Sequence, residues 1–295
     1  MRLKSITSDF NNFLNYIDWD DIANKSIVYF DNREILAHEY LSTIKEEARF
    51  GLNLILPYLD INLRILEVGA GMGLLATFLC SKGFNITTLE PGLGGFGIST
   101  ILKKQLGSLN NISHPNSLDI PAQELLCDLH GKFDFIYSIN VLEHIPNLDE
   151  TIIGLTNVLA KLGIMIHTCP NYTVPYEPHF GIPLIPFFPK LTPLIFKKCL
   201  NSELWNSLNF ISTFKLQRII TKNNLVINYH REVLYKTFRR IENDSEFRQR
   251  QSNNFIKYLF FFLSQTRLIN LTRFIPPEYS TPMVFELKHS IVNEF

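Results

Sequence analysis

Between residues 64 and 83 an apolar run, Arg64 to Val68, meets glycines at 69, 71 and 73 and then an apolar helix pattern, Leu74 to Lys82, closed by Gly83. This succession constrains the chain more than any other feature. A buried strand has to turn sharply into a helix, and only glycine lets a backbone do so while leaving no Cβ in the way of a ligand. The N–H groups of the helix start are unpaired within the helix and face the same place. Gly is also the residue favoured just past a helix C-terminus, as at Gly83.

Strand and helix patterns then alternate to residue 168. Asn85 to Leu89 reads as a second strand, Ile98 to Leu106 as helix, Asn111 to His114 as a weak third strand, Phe133 to Ile139 as a strong fourth, Leu148 to Leu159 as helix and Gly163 to Thr168 as a fifth strand. Alternation of this kind predicts an α/β fold, a parallel sheet with helices on both faces. Ligands in such sheets bind beyond the carboxyl ends of the strands. Arg33 to Leu59 reads as a preceding helix. Beyond it the pattern predicts a helix over Ser212 to Asn223, a strand over Leu225 to Tyr235, Phe-rich helix over Phe247 to Leu271 and a last strand over Met283 to Lys288. Residues 1–60 are thus expected to form an N-terminal helical segment, 61–170 a cofactor-binding core, and 171–295 a substrate wall that also completes the sheet.

Charge and cysteines exclude some classes. Lys plus Arg and Asp plus Glu are both 28, so the chain lacks the broad positive field of a protein that grips nucleic acid. Cys80, Cys127, Cys169 and Cys199 form no CxxC pair, which points to reduced thiols in a cytoplasmic protein rather than a zinc knuckle or disulfide framework. The start of the chain, MRLKSITSDFNNF, lacks the apolar stretch of a signal peptide. No run reaches the ~18 apolar residues that cross a bilayer.

The motif Ile65-Leu66-Glu67-Val68-Gly69-Ala70-Gly71-Met72-Gly73 has GxGxG spacing, with Leu at 74. A nicotinamide dehydrogenase would place its third glycine one residue later. Glu90 stands at the end of the second strand, 17 residues after Gly73, where a carboxylate can accept both hydroxyls of a ribose. The fourth strand runs into Asn140-Val141-Leu142-Glu143-His144. In this order and spacing the three features resemble the class I S-adenosylmethionine-dependent methyltransferases, and in particular their ubiquinone-pathway and other small-molecule members.

The resemblance implies a Rossmann-like fold: a doubly wound, mostly parallel seven-stranded sheet with N-terminal helices and a partly helical C-terminal insertion. It implies S-adenosyl-L-methionine as cofactor, bound by Glu67, Gly69, Ala70, Gly71 and Gly73, of which Gly69, Ala70 and Gly71 line its methionine part, with Glu90 on the ribose and Pro91-Gly92 beside the adenine. Asp119, Ala122 and Gln123 are the candidates for the adenine loop, and Asn140 lines the site near the sulfonium. The stretch Leu118-Asp119-Ile120-Pro121 departs from the usual pattern there.

Methyl transfer from a sulfonium needs mainly alignment of the nucleophile and exclusion of water. A hydroxyl acceptor also has to lose a proton, to a base or with help from a metal. His144 is the first candidate base; the competing reading has Glu143 and His144 cap a helix or orient the cofactor loop. The ubiquinone-pathway enzymes carry a Glu-x-x-Glu-His stretch here that can hold a divalent ion. Asn140 replaces the first Glu, which removes a charged oxygen ligand, so no metal is expected. The loop Cys169 to Pro183 adds Tyr172, Tyr176, Glu177 and His179, of which His179 and Tyr176 are the further catalytic candidates. The stretch Cys169 to Pro193 holds seven prolines and reads as an irregular wall.

Two apolar segments, Ile182 to Leu200 and Phe255 to Leu263, have lysines nearby. They can line a channel for a lipid-linked acceptor, touch a membrane peripherally, or pack together as a small cap. The sequence therefore reads as a methyltransferase for a small-molecule or lipid-linked acceptor, acting at oxygen. Protein or RNA methylation, and cofactor sensing without turnover, stand as the alternatives. The Asn-Pro-Pro-Tyr type motif of amino-methylating enzymes is absent at Asn140.

Overall fold

The computed structural model describes residues 3–30, 32–91, 113–243 and 254–290, with the single positions 103, 106 and 107. Its main sheet has seven strands: β1 (Arg64–Val68), β2 (Asn85–Leu89), β3 (Asn116–Leu118), β4 (Phe133–Ile139), β5 (Leu159–Cys169), and two late strands, β8 (Leu225–Tyr229) and β9 (Met283–His289). A two-stranded hairpin, β6 (Tyr176–Glu177) and β7 (Ile182–Pro183), stands apart from it. The order in the sheet is β3-β2-β1-β4-β5-β9-β8. β1 pairs parallel with β2 and β4, β2 parallel with β3, and β8 antiparallel with β9. This is the doubly wound, mostly parallel sheet that the alternation implies.

The chain divides into two compact units, Met1–Ile139 with Glu150–Ile166, and Asn140–Asp149 with His167–Phe295. In the first, helices α1 (Leu3–Tyr16), α2 (Trp19–Ser26) and α3 (Glu34–Ile55) precede β1, and α4 (Leu74–Ser81) follows it. β1 is buried from Ile65 to Val68, and Leu74 to Leu79 of α4 are buried on every side, as expected of elements covered on both faces. Phe10 of α1 lies 4.8 Å from Phe78 of α4, ring centre to ring centre. Burying each such side chain contributes about 1.5–3 kcal/mol. Gly51 of α3 lets that helix close on Ile139 and Leu75: a Cβ there would stand 3.1 and 3.2 Å from their side chains.

The expected β1, β2 and β4 coincide with those observed, and α4 and the helix at Ser212 to Asn223 differ only at their ends. Three expectations need correction. The third strand is Asn116–Leu118 rather than Asn111 to His114; positions 111 and 112 lie outside the described residues. β5 begins at Leu159, because the preceding helix, α5 (Leu148–Asn157), stops two residues earlier than its apolar pattern suggests. Leu225 to Tyr235 is two elements. β8 ends at Tyr229, Glu232 takes a left-handed φ of 62°, and helix α7 (Val233–Asn243) starts beyond it, after α6 (Thr213–Lys222). Of the Phe-rich stretch, α8 covers Asn254–Gln265 and a 3-10 run covers Leu268–Phe274; 244–253 and the helix expected from Ile98 to Leu106 fall largely outside the described residues.

Candidate active site

In the first unit the register of β1 with its neighbours sets Val68 beside Leu89 and beside Ser138, so the carboxyl ends of three strands are level. From this edge the glycine loop departs. Gly69, Gly71 and Gly73 have φ of 68°, 55° and 75°, the left-handed region that a side chain reaches only at a cost of ~1–2 kcal/mol. The Gly69 N–H donates to Leu89 O at 2.8 Å, and the Gly73 N–H to Ala70 O at 2.8 Å. The Gly71 N–H donates to Glu90 Oε2 at 2.8 Å. That bond fixes the Glu90 carboxylate at the loop, with Pro91 following it; Gly92 lies outside the described residues.

Glu67 is 7% exposed. Burial pushes its carboxyl up to about 8, with the Tyr137 hydroxyl and the Ala76 N–H opposing and the charge of Glu90 adding to the rise. Asp119 is exposed beside Lys103 Nζ at 3.6 Å. Ala122 is buried in a 3-10 turn, with Gln123 exposed next to it. Gly154 of α5 backs this turn closely: a Cβ there would stand 2.1 Å from Ala122 O.

The second unit gathers the other candidates. Asn140 follows β4 with a left-handed φ of 53°, and its N–H donates to Thr168 O at 2.9 Å. Leu142, Glu143 and His144 form one 3-10 turn. Asn209 clamps that turn: its Nδ2 donates to Leu142 O at 2.6 Å and Ile145 O at 2.8 Å, and its N–H donates to Glu143 O at 2.8 Å. His144 Nδ1 stands 2.8 Å from Ser207 Oγ. The Ser207 hydroxyl donates to Leu204 O at 2.8 Å, which orients its oxygen to accept from Nδ1 of His144. Burial and the neighbouring His179 pull the His144 imidazole down to about 4, against the pull of Glu177.

His179 reaches the same place from the loop after β5. Glu177 and Ile182 pair across the β6–β7 hairpin, and residues 178–181 turn between them with Gly181 at φ 62°. The hairpin rests on an apolar cluster of Ile182, Leu184, Cys199, Trp205 and Leu208. Fully buried Glu177 accepts from His179 Nδ1 at 2.6 Å, from the Phe180 N–H at 2.6 Å and from the Tyr172 hydroxyl at 3.2 Å. Burial alone would raise its carboxyl; the bond and charge of His179 and the backbone N–H groups win, holding it below the usual carboxylate range. Burial and the charges of Glu177 and Glu143 push the Tyr172 phenol well up.

The His144 and His179 rings meet edge to face at 5.3 Å. His144 Nε2 lies 3.8 Å from Glu143 Oε1. Tyr176, one residue before Glu177 on β6, alternates to the opposite face of the hairpin.

Glu143, His144, Tyr172, Glu177 and His179 are thus brought together as the sequence suggests for this region. Ser207 and Asn209 were missed. Each is a small polar residue in an unremarkable stretch, and each matters only through the turn it holds. Asn171 was also not singled out. It is buried and donates to Glu278 O and Ser280 O at 2.8 and 3.0 Å, pinning the start of the loop that carries His179.

A family model described as a methyltransferase domain matches residues 40–227, and the chain belongs to that family, the S-adenosylmethionine-dependent methyltransferases of class I. An uncharacterized protein of Mycobacterium tuberculosis is 34% identical over 222 residues, 70% of this chain and 73% of its own length. The ubiquinone biosynthesis O-methyltransferase of Rickettsia typhi is 33% identical over 119 residues, 40% of this chain and 46% of that enzyme. Among solved structures, mycolic acid cyclopropane synthase in complex with S-adenosylhomocysteine aligns over 82% of this chain and 84% of that one, with a TM-score of 0.47 and 16% identity.

Proposed function

We propose that this methyltransferase moves the methyl group of S-adenosylmethionine to a hydroxyl oxygen of a small-molecule or lipid-linked acceptor. The carrying observation is the pair of imidazoles, whose rings meet edge to face at 5.3 Å with Nδ1 of one on Ser207 Oγ and Nδ1 of the other on the Glu177 carboxylate. A neutral Nε2 is the group that takes a proton from a hydroxyl as oxygen attacks. In that reading Glu177 is a positioning residue for His179, and Ser207 for His144. In the same reading Gly69, Ala70 and Gly71 line the methionine part of the cofactor within a loop bounded by Glu67 and Gly73, Glu90 takes the ribose, Pro91, Asp119, Ala122 and Gln123 the adenine, and Asn140 the sulfonium side. The carboxylate of Glu90, held by the Gly71 N–H, supports the ribose assignment.

The balance of the step is simple. The acceptor's O–H bond breaks with its proton passing to an imidazole, the O–CH3 bond forms, and the S–CH3 bond breaks with its electron pair staying on sulfur. The products are a methyl ether and S-adenosylhomocysteine.

A lipid-tailed acceptor is favoured by the surface of the second unit. From Pro178 to Ser202 there is no acidic residue, and the charges are Lys190, Lys197 and Lys198. Phe187 is 95% exposed, and Phe188, Leu194 and Ile195 are more than half exposed. Exposed aromatic and aliphatic side chains interleaved with lysines suit an anionic lipid surface. Among the described residues no helix is long and apolar enough to cross a membrane. The apolar segments also have their own small cores: one cluster around Trp205, another of Phe238, Ile241 and Ile269 with Leu259, Phe260 and Leu263 against it.

The test is formation of S-adenosylhomocysteine with a catechol and with a prenylated catechol in mixed micelles. Transfer that appears with either, and is lost in His144→Ala while cofactor binding persists, supports the reading. Transfer to peptide or RNA with no transfer to any hydroxyl compound would replace it. Cosedimentation with anionic vesicles, reduced in a Phe187→Ser, Phe188→Ser variant, tests the membrane element; indifference to that change removes it.

A further inference from the structure

Three side chains of the second unit, Glu143, His144 and His179, each offer a ligand atom, and these atoms lie within 4.8 Å of one another. They come from two separate segments, the turn after β4 and the tip of the β6–β7 hairpin. Ligand atoms sharing an ion at ~2.1 Å stand about 3–3.4 Å apart, so the three need to draw in by only about an ångström or two.

The surroundings are those of a built metal site. A ligating histidine uses one ring nitrogen for the metal, and the other donates to an oxygen that fixes the ring. Both histidines already have this arrangement: His179 Nδ1 on the Glu177 carboxylate at 2.6 Å, His144 Nδ1 on Ser207 Oγ at 2.8 Å. Glu177 is itself held by the Phe180 N–H and the Tyr172 hydroxyl. The Glu143 backbone is clamped by Asn209. Glu143 is fully buried, and a cation beside it would offset the cost of a buried carboxylate.

We propose that Glu143, His144 and His179 bind one divalent transition-metal ion of the zinc and cobalt class, with further coordination positions open to the acceptor. The donor set decides the class. Two imidazoles and one carboxylate suit zinc, cobalt or iron, whereas magnesium and calcium favour oxygen ligands throughout. The expectation of no metal rests on Asn140 replacing a carboxylate; it overlooks His179, which lies 35 residues after His144 and is brought in by the hairpin. The inference rests on the proposed oxygen methylation and changes its proton step: with both Nε2 atoms on the ion, the bound cation lowers the pKa of the acceptor hydroxyl, whose proton then leaves to solvent rather than to an imidazole. The binding test itself does not depend on that reading.

The experiment uses the full chain, stripped with EDTA and dialysed, then titrated with Zn2+ by calorimetry and with Co2+ by visible absorption. One equivalent of Zn2+ is expected to bind, with Co2+ giving the intense bands of a low-coordinate nitrogen and oxygen site. Glu143→Gln and His179→Ala are each expected to weaken Zn2+ at least about tenfold, and Glu177→Gln about 10–100-fold as the partner of a ligand. His38→Ala, at a half-exposed position of α3 in the first unit, is expected to leave it unchanged. Each variant is checked for folding by its melting curve and by S-adenosylhomocysteine binding.

No Zn2+ or Co2+ binding to folded wild-type protein overturns the inference. So does binding that survives both Glu143→Gln and His179→Ala, or Mg2+ binding as tightly as Zn2+. Methyl transfer that persists at full rate in EDTA, together with absent Zn2+ binding, would sink the metal and leave the imidazole base standing. Zn2+ binding with no transfer to any hydroxyl compound would do the reverse.

Discussion

The glycine loop of the first unit and the histidine cluster of the second are built from opposite materials. The loop is backbone: three left-handed glycines, N–H groups aimed at Leu89 O, Ala70 O and the Glu90 carboxylate, and no side chain in the turn larger than that of Met72. The cluster is side chain: two imidazoles and the Glu177 carboxylate held by Ser207, Tyr172 and a hairpin N–H, with Asn209 clamping the turn that carries Glu143. A backbone seat is specified by what is missing at a few neighbouring positions. A side-chain cluster is specified by partners far along the chain. The first should therefore tolerate many changes outside its loop, and the second should fail at a distance.

The largest effect expected is on turnover. His144→Ala should lower the methyl transfer rate about 10²–10⁴-fold, whether the imidazole acts as base or as ligand, while S-adenosylhomocysteine affinity by calorimetry stays within twofold. A parallel loss of cofactor affinity would erase the division of labour between the two regions.

Glu67 comes next, as a test of the first unit alone. The folded protein keeps its proton to about pH 8, whereas the unfolded chain releases it near 4.5. Between these values the folded state binds more protons, so stability is highest below pH 4.5 and declines as the pH rises through the window. Relative to Glu67→Gln, wild type should lose up to ~1.4 kcal/mol per pH unit in denaturant unfolding, and the difference should flatten above pH 8. Parallel profiles would show that the carboxyl ionises normally.

Glu90→Ala should weaken cofactor binding by ~1–3 kcal/mol, the worth of hydrogen bonds to a charged acceptor. An unchanged dissociation constant would remove it from the ribose. Asn209→Ala sharpens the comparison from the other side. Losing the side-chain clamp on two carbonyls, Leu142 O and Ile145 O, should cost ~1–2 kcal/mol of stability and slow turnover. The smallest effect is expected at Lys25, whose 2.6 Å pair with Asp21 is surface-exposed; Lys25→Ala should shift stability by no more than ~0.5 kcal/mol.

How far each region could be read from the sequence follows from the same contrast. β1, β2 and β4 were legible to the residue because each is a short run rich in apolar and β-branched residues bounded by turn signals, and the glycines flag the loop by themselves. β3 was not, since its three residues are exposed or half-buried and carry no apolar signal. The Leu225 to Tyr235 stretch misled because alternation at 225, 227 and 229 runs straight into the apolar face of α7; the break is a conformational one at Glu232, which no residue type announces. In the cluster, His144, Glu177 and His179 could be suspected from their place after strands, but not their orientation.

The amino-acid order alone determined the sheet's alternating plan, the glycine seat and the carboxylate at the end of β2, because each depends on residues within one strand and its turn. Only tertiary structure decided which oxygen each imidazole Nδ1 faces, and that His179 joins Glu143 and His144. Those outcomes depend on contacts between segments some 30 to 65 residues apart. Such contacts form only when the loop after β5 folds onto its own apolar cluster, and local sequence pattern carries no record of that closure.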